Sequence, residues 1–209
     1  MTEEVGVKFL QDALLKLLAV EVASLGFTPR VKQQKFIRTV GDCTWVVHVG
    51  FVRHRLDVDA TIDLGVLITP VEQLFAKTGL DQLGSATIGA ELGNLVDRRP
   101  RRWTIEAEAD VARVASEMRS EIEKFGIDWL QRFSRLETVY ETLVANDLQS
   151  RLIMPLQMKR CVILLTLALL LRTKEDAQQI SLECRSFLSG RAEPMLDTFD
   201  DYVAKLLES

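Results

Sequence analysis

The most regular pattern in the chain is the alternation of apolar and polar residues between Leu56 and Ile68. The apolar set occupies every second position: Leu56, Val58, Ala60, Ile62, Leu64, Val66 and Ile68. The positions between them are mostly polar: Asp57, Asp59, Thr61, Asp63 and Gly65, with Leu67 as the exception. Successive side chains of a strand point to opposite faces, so this pattern predicts a β-strand in a sheet with one apolar and one polar face.

Two further strands are predicted before this one, so that residues 32–69 form a three-stranded meander. The pair Gly41-Asp42 fits a tight type II′ turn between strands at about 31–40 and 43–52. That turn places Arg38 opposite Trp45 and Phe36 opposite Val47. A turn at Arg53-His54-Arg55 would then bring His48 opposite Asp59 or Thr61 on the polar face.

The rest of the chain predicts helices and two short strands. A helix over about 2–24 closes near Gly26, a short helix covers 71–77, and strands follow at 85–90 and 101–106 with a loop at 91–100. After Ala107 the apolar residues recur every three or four positions, which predicts helices. We expect two helices with a break at Gly126, and one long bent helix is the alternative. A further helix covers about 147–171, and Pro155 either kinks it or is the first residue of its main part. Two more cover 173–189, opened by a Thr173–Asp176 capping box, and the region after Pro194.

These elements predict an α+β fold. It has an antiparallel meander sheet of about five strands, an N-terminal helix and a helical C-terminal half, whose helices cover the apolar face of the sheet. We expect residues 1–146 to form one α+β domain and residues 147–209 to form a helical extension packed on it.

Composition narrows the class of protein. The chain has 209 residues, 26 of them basic and 30 acidic, and a net charge of -4, which argues against general polyanion binding. Its three cysteines, Cys43, Cys161 and Cys184, form no CxxC pair, which is typical of a reduced, cytoplasmic protein. The start of the chain is too acidic for a secretory signal, and the longest apolar run, 161–171, is too short to span a membrane. No nucleotide-binding or hydrolase motif occurs, so we predict no cofactor.

The polar face of the third strand is the first candidate site. Residues two apart on a strand lie about 6.8 Å apart, so Asp57 and Asp59 could approach one metal ion. His48 opposite Asp59 could act as a general base. The simpler interpretation, which we favour, is a solvated sheet face with Asp63 as one more exposed carboxylate.

Arginines form two more candidate sites. Arg38 beside Trp45 predicts a cation–π pair, and its guanidinium could bind a carboxylate or phosphate. The alternative, which we favour, is an arginine whose stem packs while its head reaches water. The third candidate is a loop with four arginines, Arg98, Arg99, Arg101 and Arg102. It could bind a phosphate backbone, but aromatic residues for base stacking are not interleaved with it, so nucleic acid is a weak candidate.

Several short motifs resemble family 4304 of the bacterial domains of unknown function. They are Leu25-Gly26-Phe27, Phe36-Ile37-Arg38, Trp45, Thr61-Ile62-Asp63-Leu64-Gly65, Thr87-Ile88-Gly89, Trp103, Gly126-Ile127 and Trp129-Leu130. The resemblance covers about residues 3–144 and implies an α+β domain. It implies no catalytic residue.

Since no catalytic motif is present, we predict a non-catalytic protein-interaction module of the bacterial cytoplasm. It would neutralise or regulate another protein, with immunity or defence as one setting, and a homodimer as an option. The alternative is a small-ligand binder or hydrolase with a cleft near Arg38 or His48. The third hypothesis is nucleic-acid binding through residues 98–102.

Overall fold

The computed structural model of the chain describes residues 6–79, 84–189 and 193–208. It confirms the α+β class: an N-terminal helix, an antiparallel sheet and a helical C-terminal half. The predicted helix positions at residues 2–5 and the predicted helix stop at Gly190 lie outside the described residues.

The sheet has six strands, one more than expected. They are β1 (Thr28–Arg30), β2 (Lys35–Val40), β3 (Cys43–Arg53), β4 (Val58–Ile68), β5 (Ile88–Glu91) and β6 (Trp103–Ile105). The order is β1-β2-β3-β4-β5, and β6 pairs with the beginning of β4. The extra strand, β1, precedes the predicted first strand, and the first residues of that predicted strand are not in the sheet. Val31–Gln33 forms a 3-10 turn that ends at Gln34, whose φ is 55°.

The predicted β2–β3 hairpin is confirmed in position and register. Val40 faces Cys43, Arg38 faces Trp45, and Phe36 faces Val47 across the two strands. Gly41 has a φ of 55°, which suits the first central position of the predicted turn.

The apolar face of β4 is also confirmed. Every second residue from Val58 to Ile68 is buried. Phe36, Trp45 and Val47 on β2 and β3 are buried as well. Leu56 was wrongly placed on this face: it precedes the strand, and 56% of its surface is exposed.

The helices are α1 (Val7–Ala23), α2 (Thr69–Thr78), α3 (Leu92–Val96), α4 (Glu108–Glu121), α5 (Ile127–Arg132), α6 (Leu136–Ala145), α7 (Leu148–Ile153), α8 (Gln157–Leu171), α9 (Lys174–Leu188) and α10 (Glu193–Leu207). The capping box of α9 is confirmed, since Thr173 Oγ1 accepts from the Asp176 amide at 3.1 Å. The single helix expected over 147–171 is two, α7 and α8, with Pro155 between them.

Gly126 does not end a helix, so the expected break there is wrong. Residues Ile122–Gly126 form one π-helical turn that connects α4 to α5, and the Ile127 amide donates to the Ile122 carbonyl. A Cβ at Gly126 would lie 3.4 Å from Leu64 Cδ1. The glycine therefore serves close packing of the helix on β4, and the chain leaves the helix only after Arg132.

The chain divides into two compact units. The first contains residues 1–65 and 90–131, and in it α1 packs against α4, β1 and β3, while α4 packs against β6. The second contains residues 66–89 and 132–209, and in it α8 packs against α2, α6, α9 and α10. The predicted boundary after residue 146 falls within the second unit, between α6 and α7; that residues 147–209 form a separate extension stays a prediction.

A pair of leucine truncations tests the assignment of the two ends of the β4 pattern. Leu64 is 1% exposed, so we expect Leu64→Ala to lower the free energy of unfolding by about 2–5 kcal/mol through lost burial and a cavity. The matched change Leu56→Ala removes the same atoms from an exposed site. It should change the free energy of unfolding by less than about 0.5 kcal/mol. Urea unfolding measures both. Equal losses would show that Leu56 belongs to the core.

Candidate functional site

The polar face of β4 does gather titratable side chains, but in a different register from the predicted one. His48 Nδ1 lies 3.3 Å from Asp63 Oδ2, so the expected position opposite Asp59 or Thr61 is wrong. The His54 amide donates to the Asp57 carbonyl at 3.0 Å, which places the turn at Arg55-Leu56. β3 is therefore longer than the sequence pattern indicated, and each of its residues faces a position further along β4.

Asp59 is the centre of a group that we call the polar-face cluster: His54, Asp57, Asp59, Arg102 and Thr104. Thr104 lies directly opposite Asp59 in the β4–β6 pairing, and its hydroxyl donates to Asp59 Oδ1 at 2.6 Å. Asp59 Oδ2 lies 3.2 Å from His54 Nε2 and 3.4 Å from Arg102 Nη1. Sequence patterns did not indicate His54 or Thr104 as members, because only the strand pairing joins them to Asp59.

These contacts keep Asp59 ionised. The hydrogen bond from Thr104 is the largest influence, and it lowers the pKa of the Asp59 carboxyl below its ordinary value. Burial opposes this shift, and the contacts with His54 and Arg102 add to it. Only 13% of the Asp59 side chain is exposed, so its charge is balanced mainly by these neighbours.

The cluster fits a metal ion poorly. His54, Asp57 and Asp59 offer three ligand atoms within 4.8 Å of one another. However, the Asp59 oxygen in that set is already shared by His54 and the Arg102 guanidinium. A bound cation would be repelled by Arg102 and would displace the His54 contact. The arrangement is that of a satisfied carboxylate, and both histidines, His48 and His54, have carboxylates as partners.

Arg38 forms the predicted contact with Trp45, at 5.0 Å from the guanidinium carbon to the ring centroid. Its Nη1 also donates to the Leu25 carbonyl at 2.9 Å. A Cβ at Gly26 would lie 3.3 Å from Arg38 Nε, and Gly26 has a φ of 81°, so the loop after α1 requires a glycine there. Arg38 thus ties β2 to this loop, with its side chain half-buried beside a shallow groove.

The arginine loop is shaped by Glu91. Its carboxylate accepts from the amides of Gly93, Asn94 and Arg101, which caps α3 within the segment expected to be loop. A Cβ at Gly93 would lie 2.5 Å from the Arg101 nitrogen, so only glycine fits there.

Two of the four arginines have partners within the first unit. Arg101 pairs with Glu121 at 2.9 Å and lies over the Trp103 ring, and Arg102 contacts Asp59. Arg98 and Arg99 are exposed. Half of the guanidinium groups are therefore already in ion pairs, which weakens the case for a phosphate-binding loop.

A further surface, which the sequence pattern did not single out, lies on α1. Its buried side carries Leu10, Leu14, Leu18 and Val22. The opposite side carries Phe9, Ala13, Lys16, Leu17 and Val20, which line a shallow groove and which we call the α1 strip. Phe9 is 48% exposed and Val20 is 72% exposed.

A polar groove adjoins the α1 strip. Its lining residues are Val20, Glu21 and Ser24 of the α1 region and Ser116, Arg119 and Ser120 of α4. Ser24 also lines the groove that contains Arg38. Val20 lines both the α1 strip and the polar groove, and Ser24 lines both the polar groove and the Arg38 groove. The three grooves are therefore neighbours in sequence along one surface that is apolar at the Phe9 end and polar at the Ser24 end.

No family model, curated protein or solved structure matches this chain. Within the described ranges, no helix combines the length and the apolar character needed to cross a lipid bilayer. The site is therefore interpreted from its own geometry.

Acid titration of a Thr104→Val variant tests the role of Asp59. A carboxyl with a lowered pKa contributes stability above its unfolded pKa, near 3.8, and loses it as pH falls through the folded value. Thr104→Val removes the largest cause of the shift, so we expect it to cost about 1 kcal/mol at pH 7. The difference from the parent protein should shrink at acidic pH, where Asp59 is protonated in both.

Urea unfolding between pH 7 and pH 2 measures this difference. Thr61→Val is the matched control, since Thr61 lies on the same face of β4, and its effect should not vary with pH in this way. If the loss in free energy of unfolding caused by Thr104→Val stays constant down to pH 2, the hydroxyl does not stabilise the Asp59 charge.

Proposed function

We propose that the protein is a non-catalytic interaction module that binds a partner protein through the α1 strip. The observation that carries this proposal is the apolar character of the α1 face opposite its buried side, with Phe9 and Val20 exposed. The outer face of a surface helix is ordinarily polar. Contiguous exposed apolar residues mark interaction sites.

The shape and charge of this surface indicate the kind of partner. The strip follows α1 from Phe9 to Val20, a length of about 16 Å, which suits an amphipathic helix laid alongside it. Lys16 lies within the strip and has no ion pair among the described residues. The fitting partner segment is a helix with apolar anchors and an acidic residue that meets Lys16.

The unequal ends of the surface favour a different protein over a second copy. An antiparallel two-fold pairing of two α1 strips would place each apolar Phe9 end beside the polar Ser24 end of the other. A partner segment that is apolar at one end and polar at the other matches both ends of this surface. Neutralising or regulating that partner in the cytoplasm, with immunity or defence as the setting, is the role we propose. Membership of family 4304 stays a prediction.

The other hypotheses have less support. A ligand cleft at Arg38 would compete with its contacts to Leu25 and Trp45. A hydrolase centred on His48 would use an imidazole whose side chain is 35% exposed, beside a carboxylate that is 50% exposed. Nucleic-acid binding through the arginine loop would rely on Arg98 and Arg99.

Site-specific photo-crosslinking in the producing cells tests the proposal. A benzophenone amino acid at Ala13, inside the strip, should give one discrete adduct with a different protein. The same group at Leu182, an exposed residue of α9, is the matched position and should give none. Adding Lys16→Glu should remove the Ala13 adduct by charge repulsion, whereas Lys8→Glu, on another side of α1, should leave it.

Sequencing the adduct completes the test. We expect the crosslinked segment to be an amphipathic helix with an acidic residue, and replacing that residue by lysine should restore crosslinking to the Lys16→Glu variant. An adduct between two copies of this chain, an adduct insensitive to Lys16→Glu, or no adduct at Ala13 would each contradict the proposal.

A further inference from the structure

The second unit contains a pocket between α6, α8 and α9 that is separate from the surfaces described above. Its volume is about 110 Å³. Apolar side chains form much of its lining, including Leu143, Leu164, Ile180 and Phe187. Arg160 also lines it, at the start of the apolar run of α8.

Arg160 is an unusual residue for this position because it is only 4% exposed. Buried charges in proteins are nearly always paired or hydrogen-bonded. In the described parts of the chain, the Arg160 guanidinium has neither an ion pair nor a hydrogen bond. It lies over the Phe187 ring, with the guanidinium carbon 5.4 Å from the ring centroid. Glu183 lines the same pocket, but its Oε1 accepts from Gln179 Nε2 at 2.9 Å.

A guanidinium aimed into a small apolar pocket has the chemistry of an anion receptor. Its planar fork of N–H donors matches the two oxygens of a carboxylate, and partial burial strengthens the pair. The apolar walls would accept a ring or a short hydrocarbon chain. A cavity of about 150 Å³ holds benzene in another protein. The pocket here is smaller, at about 110 Å³, but it opens to solvent, so it suits a short chain or part of a ring.

We infer that this pocket binds a small organic monocarboxylate, with the carboxylate on Arg160 and the apolar body against Leu164, Ile180 and Phe187. The inference does not depend on the α1 strip. It assigns to the second unit a ligand site of its own, and it explains why a charged residue occupies a position where an apolar one would pack at lower cost.

Two buried cysteines line the same pocket. Cys184 Sγ donates to the Cys161 backbone carbonyl at 3.9 Å. A side-chain contact with the Cys161 thiol, together with burial, raises the pKa of Cys184. The hydrogen bond with Cys184, and then the Arg160 charge, lower the pKa of Cys161. The Cys161 thiol is therefore a rival partner for Arg160, and the experiment includes it.

Binding of benzoate, butanoate and hexanoate to the full chain tests the inference. At millimolar concentration we expect at least one of them to shift amide resonances of α8 and α9 in a two-dimensional NMR titration. Benzamide has the shape of benzoate without its charge, and benzoate should bind at least tenfold more tightly than it does. Arg160→Lys should weaken carboxylate binding at least fivefold, because an ammonium lacks the planar fork.

Arg160→Met separates ligand binding from folding. We expect it to abolish carboxylate binding while the melting temperature stays equal or rises, because an unpaired buried charge is removed. Arg172→Met is the matched control: Arg172 also lies over an aromatic ring, that of Tyr140, but is exposed, so its loss should leave binding unchanged. Cys161→Ser should also bind normally.

Any one of four results would overturn the inference. The first is no binding of any of the three carboxylates, and the second is equal binding of benzoate and benzamide. The third is a lowered melting temperature for Arg160→Met with carboxylate binding retained, which would make Arg160 a structural residue. The fourth is loss of carboxylate binding in Cys161→Ser, which would show that the Cys161 side chain, and not Arg160, controls the site.

Discussion

The structure depends on the pairing of β4 along both of its edges. β3 pairs with one edge, and β5 and β6 pair with the other. Because side chains alternate along a strand, this pairing buries Val58 through Ile68 at every second position and places Asp59 and Asp63 on the opposite face. The β4–β6 pairing brings Thr104 to Asp59 and so builds the polar-face cluster. On the buried face of the same strand, Leu64 is the residue against which Gly126 of the helical turn packs.

The fold class and the β2–β3 register could be predicted, because they rest on local signals: the period of β4 and the Gly41-Asp42 turn. The β3–β4 register could not, since the His54–Asp57 turn bond that sets it has no distinctive sequence pattern. Glu91 was placed in a loop because its role as a cap depends on three amides that meet only in the folded chain. Gly126 has the composition of a helix end, but it is a packing contact on Leu64.

The two surfaces to which we propose functions could not be predicted from the sequence. The α1 strip could not be predicted because α1 has apolar residues on more than one side. The spacing of apolar residues alone does not tell which side packs against the rest of the first unit. Arg160 directly precedes the apolar run at 161–171, and only the packing of α6, α8 and α9 shows that it is buried in a pocket. In contrast, the candidate residues that sequence chemistry singled out, Asp59 and Arg38, have neighbours within the fold that satisfy their charges or donors.

Native-state hydrogen exchange of the β4 amides is the most direct test of the central role of this strand. If pairing on both edges holds the first unit together, the amides of Ala60, Ile62 and Leu64 should be the slowest to exchange in that unit. Their exchange should also follow the same denaturant dependence as its global unfolding. The account would be contradicted if these amides exchanged faster than the amides of α1 and α4, through a local opening of β4.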